Sequence, residues 1–200
     1  MDTPVIATTA LRKVYASGEL SVEALRGVDL TVWDHEFVSI MGPSGSGKST
    51  LLSIVGLLER PTTGTYELVG EDVATFDDRR AARVRSERIG FVFQAFNLLS
   101  RSTAVQNVEL PLIYGRVGRQ ERRRRALEAL DAVGLADRAE HLPSQLSGGQ
   151  QQRAALARAI VTQPAVLMAD EPTGNLDSQS EAEVLSIFDE VHARGATILM

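Results

Sequence analysis

Cysteine is absent from all 200 residues, so neither a disulfide framework nor a thiolate metal site is available, and cysteine usage leaves the redox compartment undetermined. Histidine is nearly as scarce: His35, His141 and His192 are scattered without metal-ligand spacing. No run approaches the about 18 consecutive apolar residues needed to cross a bilayer, so a membrane role has to come through a partner. The opening segment lacks the basic start and continuous apolar stretch of a secretory signal, and the sequence reads as mature, cytoplasmic protein. Positive charge is in the minority, with 21 Lys and Arg against 26 Asp and Glu and a net charge of -5. Domains that live on nucleic acid usually need a basic surface to release counterions, so that class of partner is disfavoured. The tract Arg122-Arg123-Arg124-Arg125 runs against this average, but on an amphipathic helix it reads as a solvated face.

What is present is ordinary globular material, 44% apolar and 24% charged, enough to bury a sizeable core. Short apolar runs end in Gly-rich or acidic loops and alternate with helical patterns, which predicts an α/β fold with a mainly parallel sheet. Strand character is expected over 5–14, 25–32, 36–41, 65–69, 89–93, 165–169 and 196–200. Helices are expected from about Lys48, over 121–133 with a stop at Gly134, over 151–161 and after Ser178. The early strands form an N-terminal antiparallel β portion. The stretch 96–159 is expected to be a helical subdomain set into an α/β core made of 1–95 and 160–200.

The run Gly42-Pro43-Ser44-Gly45-Ser46-Gly47-Lys48-Ser49-Thr50 fits G-x-x-x-x-G-K-[ST], between a strand and a helix. Glycines there let backbone N–H groups turn inward onto phosphate oxygens, and the helix aims its positive dipole end at the same place. Lys48 then reaches the β and γ phosphates, and the Ser49 hydroxyl is placed for Mg²⁺. A buried strand delivers Asp170 and Glu171 at its carboxyl end, where ligands sit in open parallel sheets. Asp170 is the candidate to hold Mg²⁺ through water, and Glu171 to orient or deprotonate an attacking water. Beside this stands the plainer reading of a solvated strand-to-turn junction ahead of Pro172.

Ser147 followed three residues later by Gln150 is a capping box opening the next helix. The box leaves Gly148 and Gly149 unexplained, since glycine in a helix costs about 1 kcal/mol against alanine. Bare backbone at a helix N-terminus suits close approach to an anion. That anion is not the phosphate gripped by Lys48 unless a second copy of the chain presents it.

Together the phosphate loop, Gln94, Leu146-Ser147-Gly148-Gly149-Gln150, the Asp170-Glu171 pair and Asn175-Leu176-Asp177 resemble an ABC-type ATPase over essentially the whole chain. The resemblance implies a P-loop fold hydrolysing MgATP to ADP and phosphate, paired head to tail with a second copy. Ser147 and Gly149 of one copy would close on ATP held by the other. It also implies that Tyr15 stacks on adenine, that Gln94 senses Mg²⁺ and the attacking water, and that Asp177 couples the two sites. Each has a local alternative: edge packing for Tyr15, a loop hydrogen bond for Gln94, a helix cap for Asp177.

Within that family, 90–99 and 107–112 resemble the lipoprotein-release and macrolide-exporter branch. Such members are separate cytoplasmic subunits held at the inner face of the membrane by a transmembrane permease. Phe96, Leu98 and Leu99 are then candidates to receive a short helix of that permease, or else core residues.

In the family, a strand after the acidic pair ends in a histidine on the γ-phosphate. Residues 196–200 are that strand here, and none of the three histidines can take the place. The expectation is a chain that continues past Met200, and impaired turnover where it does not. Other classes with the same motifs fit less well. DNA-repair ATPases carry a long coiled coil or zinc insert, translation ATPases usually two cassettes per chain, and a non-hydrolysing regulator has no need of Glu171.

Overall fold

The computed structural model describes residues 3–17 and 20–200. Its first layer is an antiparallel sheet of β1 (Ile6–Ser17), β2 (Leu20–Val32), β4 (Thr63–Leu68) and β5 (Glu71–Asp72), in the order β2-β1-β4-β5. Ile6 lies opposite both Val32 and Leu68, which puts three buried aliphatics side by side at one end. The ladder shifts between Thr8 and Leu11, at Ala10 with φ 48, and the inward phase moves from Ile6 and Thr8 to Leu11.

The second sheet is wholly parallel: β3 (Phe37–Val38), β6 (Ile89–Phe93), β7 (Val166–Asp170) and β8 (Ile198–Leu199), ordered β3-β8-β7-β6. Strand β7 is buried on both faces, so it reads as a continuous apolar run. Val166 and Met168 enter one apolar cluster with the antiparallel sheet and α1 (Lys48–Val55). Leu167 and Ala169 enter another with α3 (Ala104–Tyr114), α4 (Arg119–Ala132), α5 (Gly148–Ile160) and α6 (Ser178–Ala193). The helical stretch therefore shares one continuous core with β7, β8 and α6. With each fully buried Leu or Ile contributing about 1.5–3 kcal/mol, stability resides in this sandwich and the loops at the strand ends are free for chemistry.

Local chemistry explains the finer positions. Helix α5 lies close on β6 because Gly90 has no side chain; a Cβ there would come within 2.4 Å of the Ala159 carbonyl oxygen. Buried Tyr66 donates to the Val55 carbonyl at 2.5 Å, tying β4 to the end of α1, and burial pushes its phenol up from its ordinary value. Asn107, fully buried on α3, accepts from the Leu99 amide at 2.7 Å and donates to the Leu99, Ser102 and Thr103 carbonyls, closing the loop before that helix. The remaining helix, α2 (Asp78–Arg88), is capped by Asp77 and has no fully buried residue.

Two sequence expectations are adjusted. The strand over 36–41 is reduced to β3, extended by one further bond from the Ile40 amide to the Met200 carbonyl. The helix expected from 151 begins at Gly148, since the Ser147 cap starts it. Among the arginines of α4, Arg122 faces Glu109, Arg123 faces Glu140, Arg124 faces Glu121 and Glu128, and Arg125 faces Glu121. All four guanidiniums thus have carboxylate partners within the chain, and the two on Glu121 hold its carboxyl down at about 2.

Candidate functional site: a phosphate loop facing an acidic strand end

The loop 42–47 leaves β3 and turns into α1 through Gly47, whose φ of 95 favours glycine and whose missing Cβ would lie 2.5 Å from the Ala24 carbonyl oxygen. The Lys48 ammonium donates to the Gly42 and Pro43 carbonyls at 2.9 and 3.2 Å, so it lies across its own loop. Pro43, Ser44, Gly45 and Ser46 form the exposed crest, and the helix they lead into has no acid in its first turn to compete with an anion.

Two strands away in the parallel sheet, β7 ends at Asp170. The Ser49 hydroxyl donates to its Oδ1 at 3.3 Å, a contact across 121 residues that brings the loop and the acidic strand together. A hydroxyl beside a carboxylate is an oxygen donor set suited to Mg²⁺, which keeps several waters and needs few protein ligands. No cluster of three His, Cys, Asp or Glu that could hold a metal ion occurs among the described residues.

Glu171 follows with φ 46, a left-handed backbone for a residue with a side chain, and its carbonyl accepts from the Gly174 amide at 3.0 Å. Such a conformation costs about 1–3 kcal/mol and persists only where the surroundings enforce it. Gln94, following β6, exchanges bonds with Asn175: its Nε2 donates to Asn175 Oδ1 at 3.3 Å, and Asn175 Nδ2 donates to the Gln94 carbonyl at 3.0 Å. The role of Asn175 was not readable from sequence.

Tyr15 is 41% exposed, and its hydroxyl donates to Glu59 Oε2 at 2.7 Å. That bond raises the Tyr15 pKa and lowers that of Glu59. Lys13 Nζ stands 5.0 Å from the ring centroid.

The capping box is as expected: Ser147 Oγ accepts from the Gln150 amide at 3.2 Å, and Gln150 Oε1 accepts from the Ser147 amide at 2.9 Å. Asp177 caps α6 by accepting from the Gln179 and Ser180 amides and from the Ser180 hydroxyl, and the Ser180 bonds hold its carboxyl below the usual range. Gly149 has a packing reason besides the expected one: it is buried, and a Cβ there would meet Ser180 Oγ at 2.8 Å and Cβ at 2.9 Å. Only Gly148 is an exposed bare position, with contacts no closer than 3.6 Å. His35 and His192 bond each other at the start of β8, the end of the sheet away from the phosphate loop, with the His192 Nε2 2.9 Å from the His35 carbonyl.

A glycine-rich loop at the carboxyl edge of a parallel sheet, its helix hydroxyl against an acid from a neighbouring strand, defines a P-loop nucleotide-binding protein. The comparisons narrow the class. The sequence matches the family model described as ABC transporter over residues 25–174. It is 56% identical over 188 residues to an ABC transporter ATP-binding protein of Thermotoga maritima, covering 94% of this chain and 80% of that one. Identity to the macrolide export ATP-binding/permease protein MacB of Escherichia coli K12 is 48% over 198 residues, covering 99% of this chain and 31% of that protein. The dimeric cassette MJ0796, a bacterial ABC transporter cassette by its description, superposes with a TM-score of 0.88 at 45% identity, over 97% of this chain and 86% of that one. A post-hydrolysis dimer of MJ0796 bound to ADP and Pi matches with the same TM-score, 0.88. The chain belongs to the ABC transporter family, as an ATP-binding cassette with the mixed α/β fold of that class.

Proposed function

We propose that this chain hydrolyses MgATP to drive an exporter of the lipoprotein-release or macrolide and peptide type, working as a head-to-tail pair on the cytoplasmic side of a transmembrane permease. The observation that carries this reading is the Ser49–Asp170 bond at 3.3 Å, which unites a phosphate grip with the strand end that also presents Glu171. ATP is held by the loop amides of 42–50 with Lys48 on its terminal phosphates and Tyr15 against the base. Ser49, Gln94 and Asp170 would hold Mg²⁺, which would supply positive charge against that developing on the phosphates. Glu171 takes a proton from the water that attacks the γ-phosphorus, the bond to the β–γ bridging oxygen breaks, ADP leaves, and the proton passes to solvent. Gln94 aligns that water.

The dimeric state of MJ0796 supports pairing. So does Ser147: its oxygen accepts from Gln150, while its single donor hydrogen has no acceptor among the described bonds and suits a phosphate oxygen brought by the second copy. Gly148 lets that phosphate approach, the Gly149 and Gln150 amides add the helix N-terminus, and Asp177, at the head of the adjoining helix, couples the two sites. The division into a core of 1–95 and 160–200 and a signature subdomain of 96–159 belongs to this reading.

No helix among the described residues is long and apolar enough to cross a bilayer, and the proposed coupling to the membrane runs through the permease. A cavity of 1030 Å³ between α2, β6 and α3 suits a short permease helix, with an apolar wall at Phe91 and Pro111 and a basic rim of Arg83, Arg85, Arg116 and Arg158. Phe96, Leu98 and Leu99 do not line it; Leu98 packs on the helical core and Leu99 is 51% exposed. Replacement of Glu171 by Gln tests the whole reading: ATP should convert the variant from monomer to dimer on a sizing column while phosphate release stops. An unchanged elution volume with saturating MgATP would refute the paired site.

A further inference from the structure

Gln152 is fully buried on α5, one of four buried polar residues among those described. Its side-chain amide donates to the Pro172 carbonyl at 2.5 Å and to the Phe93 carbonyl at 3.3 Å. Both N–H donors of the amide are therefore spent on backbone oxygens, and neither oxygen belongs to its own helix. The orientation of the amide is fixed by these partners, because a flipped group would set its oxygen against two carbonyls. Its Oε1, though buried, has no partner. An amide kept in an apolar helix face with one atom unsatisfied is costly unless the two bonds it makes are needed.

The place of those bonds tells what they serve. Phe93 ends β6, lies opposite Asp170 in the sheet register, and immediately precedes Gln94. Pro172 immediately follows Glu171. One side chain thus clasps the residue before the proposed water-aligning glutamine and the residue after the proposed base. On the other side the Gln94–Asn175 exchange ties the same two loops, so Gln94 is held from both directions. The left-handed Glu171 backbone, φ 46, lies between the Asp170 ladder pairing and the Pro172 clamp. Helix α5 carries Ser147 at its cap and Gln152 in its second turn, so a shift of the cap moves both loops together.

We propose that Gln152 is a positioning residue for hydrolysis: it sets Gln94 and Glu171 at working separation and links that separation to the seat of the Ser147 helix. This rests on the reading of Gln94 and Glu171 given above.

The test uses the protein at its full natural length with Gln152→Met, which keeps the bulk and loses both donors, and Leu156→Val, a core change on the same helix with no polar contact. Single-turnover hydrolysis at saturating MgATP should fall at least about tenfold in Gln152→Met, while the half-saturating ATP concentration stays within about twofold. Leu156→Val should lower Tm with the hydrolysis rate largely kept. A Gln152→Met rate within twofold of wild type overturns the inference, and so does a loss matched by Leu156→Val at equal Tm. Should Gln152→Met not fold, Gln152→Glu decides. Its protonated carboxyl restores one donor and its ionised form none, so its rate relative to wild type should fall between about pH 6 and 9. A flat ratio overturns the inference. A wild-type chain that takes up no MgATP refutes the nucleotide site itself, and one that binds MgATP without releasing phosphate removes the hydrolytic reading and this inference with it.

Discussion

The Ser49 hydroxyl donates to Asp170 Oδ1 at 3.3 Å, so the first turn of α1 and the end of β7 share one polar contact although β8 separates their strands. Asp170→Asn keeps the size and an acceptor oxygen but removes the charge that would hold a divalent cation. ATP should still bind, and the stimulation of hydrolysis by Mg²⁺ should fall by about 10²–10³, the scale for losing one preorganised electrostatic group. Phosphate release titrated with Mg²⁺ measures it; an unchanged Mg²⁺ dependence would remove Asp170 from the site.

Gly149→Ala should destabilise the fold without any ligand present. The added carbon would lie 2.9 Å from Ser180 Cβ, which no rotamer change relieves, and overpacking of this kind costs about 1–3 kcal/mol. Pairing it with Ser180→Gly opens the space again. Thermal unfolding of both single variants and the double variant should show the double recovering part of the loss, and strictly additive losses would mean that the two positions do not press on each other.

These two cases mark where the sequence is legible. The phosphate loop, the acid pair and the caps at Ser147 and Asp177 are local: each is specified by residues within a few positions and each was readable as a motif. The parallel and antiparallel portions were equally readable, because β7 buried on both faces gives an uninterrupted apolar run whereas β1 and β2 alternate. What sequence did not show lies in contacts across the fold. Gln152 reaches Phe93 over 59 residues and Gln94 reaches Asn175 over 81. The only trace of the first is a glutamine just ahead of the Ala154-Ala155-Leu156-Ala157 stretch. The packing reason for Gly149 is hidden in the same way, since its neighbour Ser180 arrives from another helix.

The proposed stacking of adenine on Tyr15 makes a prediction that separates ring from hydroxyl. Tyr15→Ala should weaken MgATP binding by about tenfold, near the lower end of the ~1–3 kcal/mol ascribed to a base–aromatic stack, since the ring is well exposed. Tyr15→Phe should bind nearly as wild type, because the phenol is occupied by Glu59 at 2.7 Å and not offered to ligand. Calorimetry of both variants decides: equal losses in Ala and Phe would assign the effect to the Tyr15–Glu59 bond and not to the ring.

Asp177 ties acidity to the seating of α6. Its carboxylate accepts from two backbone amides and the Ser180 hydroxyl, so the folded-state pKa lies below the unfolded value. A depressed carboxyl pKa contributes stability that is fully present above the unfolded value, about 3.9, and is lost as pH falls through the folded one. Asp177→Asn retains a cap acceptor but cannot gain from ionisation. At neutral pH the variant should therefore melt below wild type, and the gap should close as the pH is lowered beneath about 3.9. Because Ser180 also presses on Gly149, the loss at neutral pH should loosen the start of α5 as well, raising amide exchange near Gly149 in the variant. A melting difference that persists unchanged into acid would show that the charge on Asp177 contributes nothing and that its oxygen alone makes the cap.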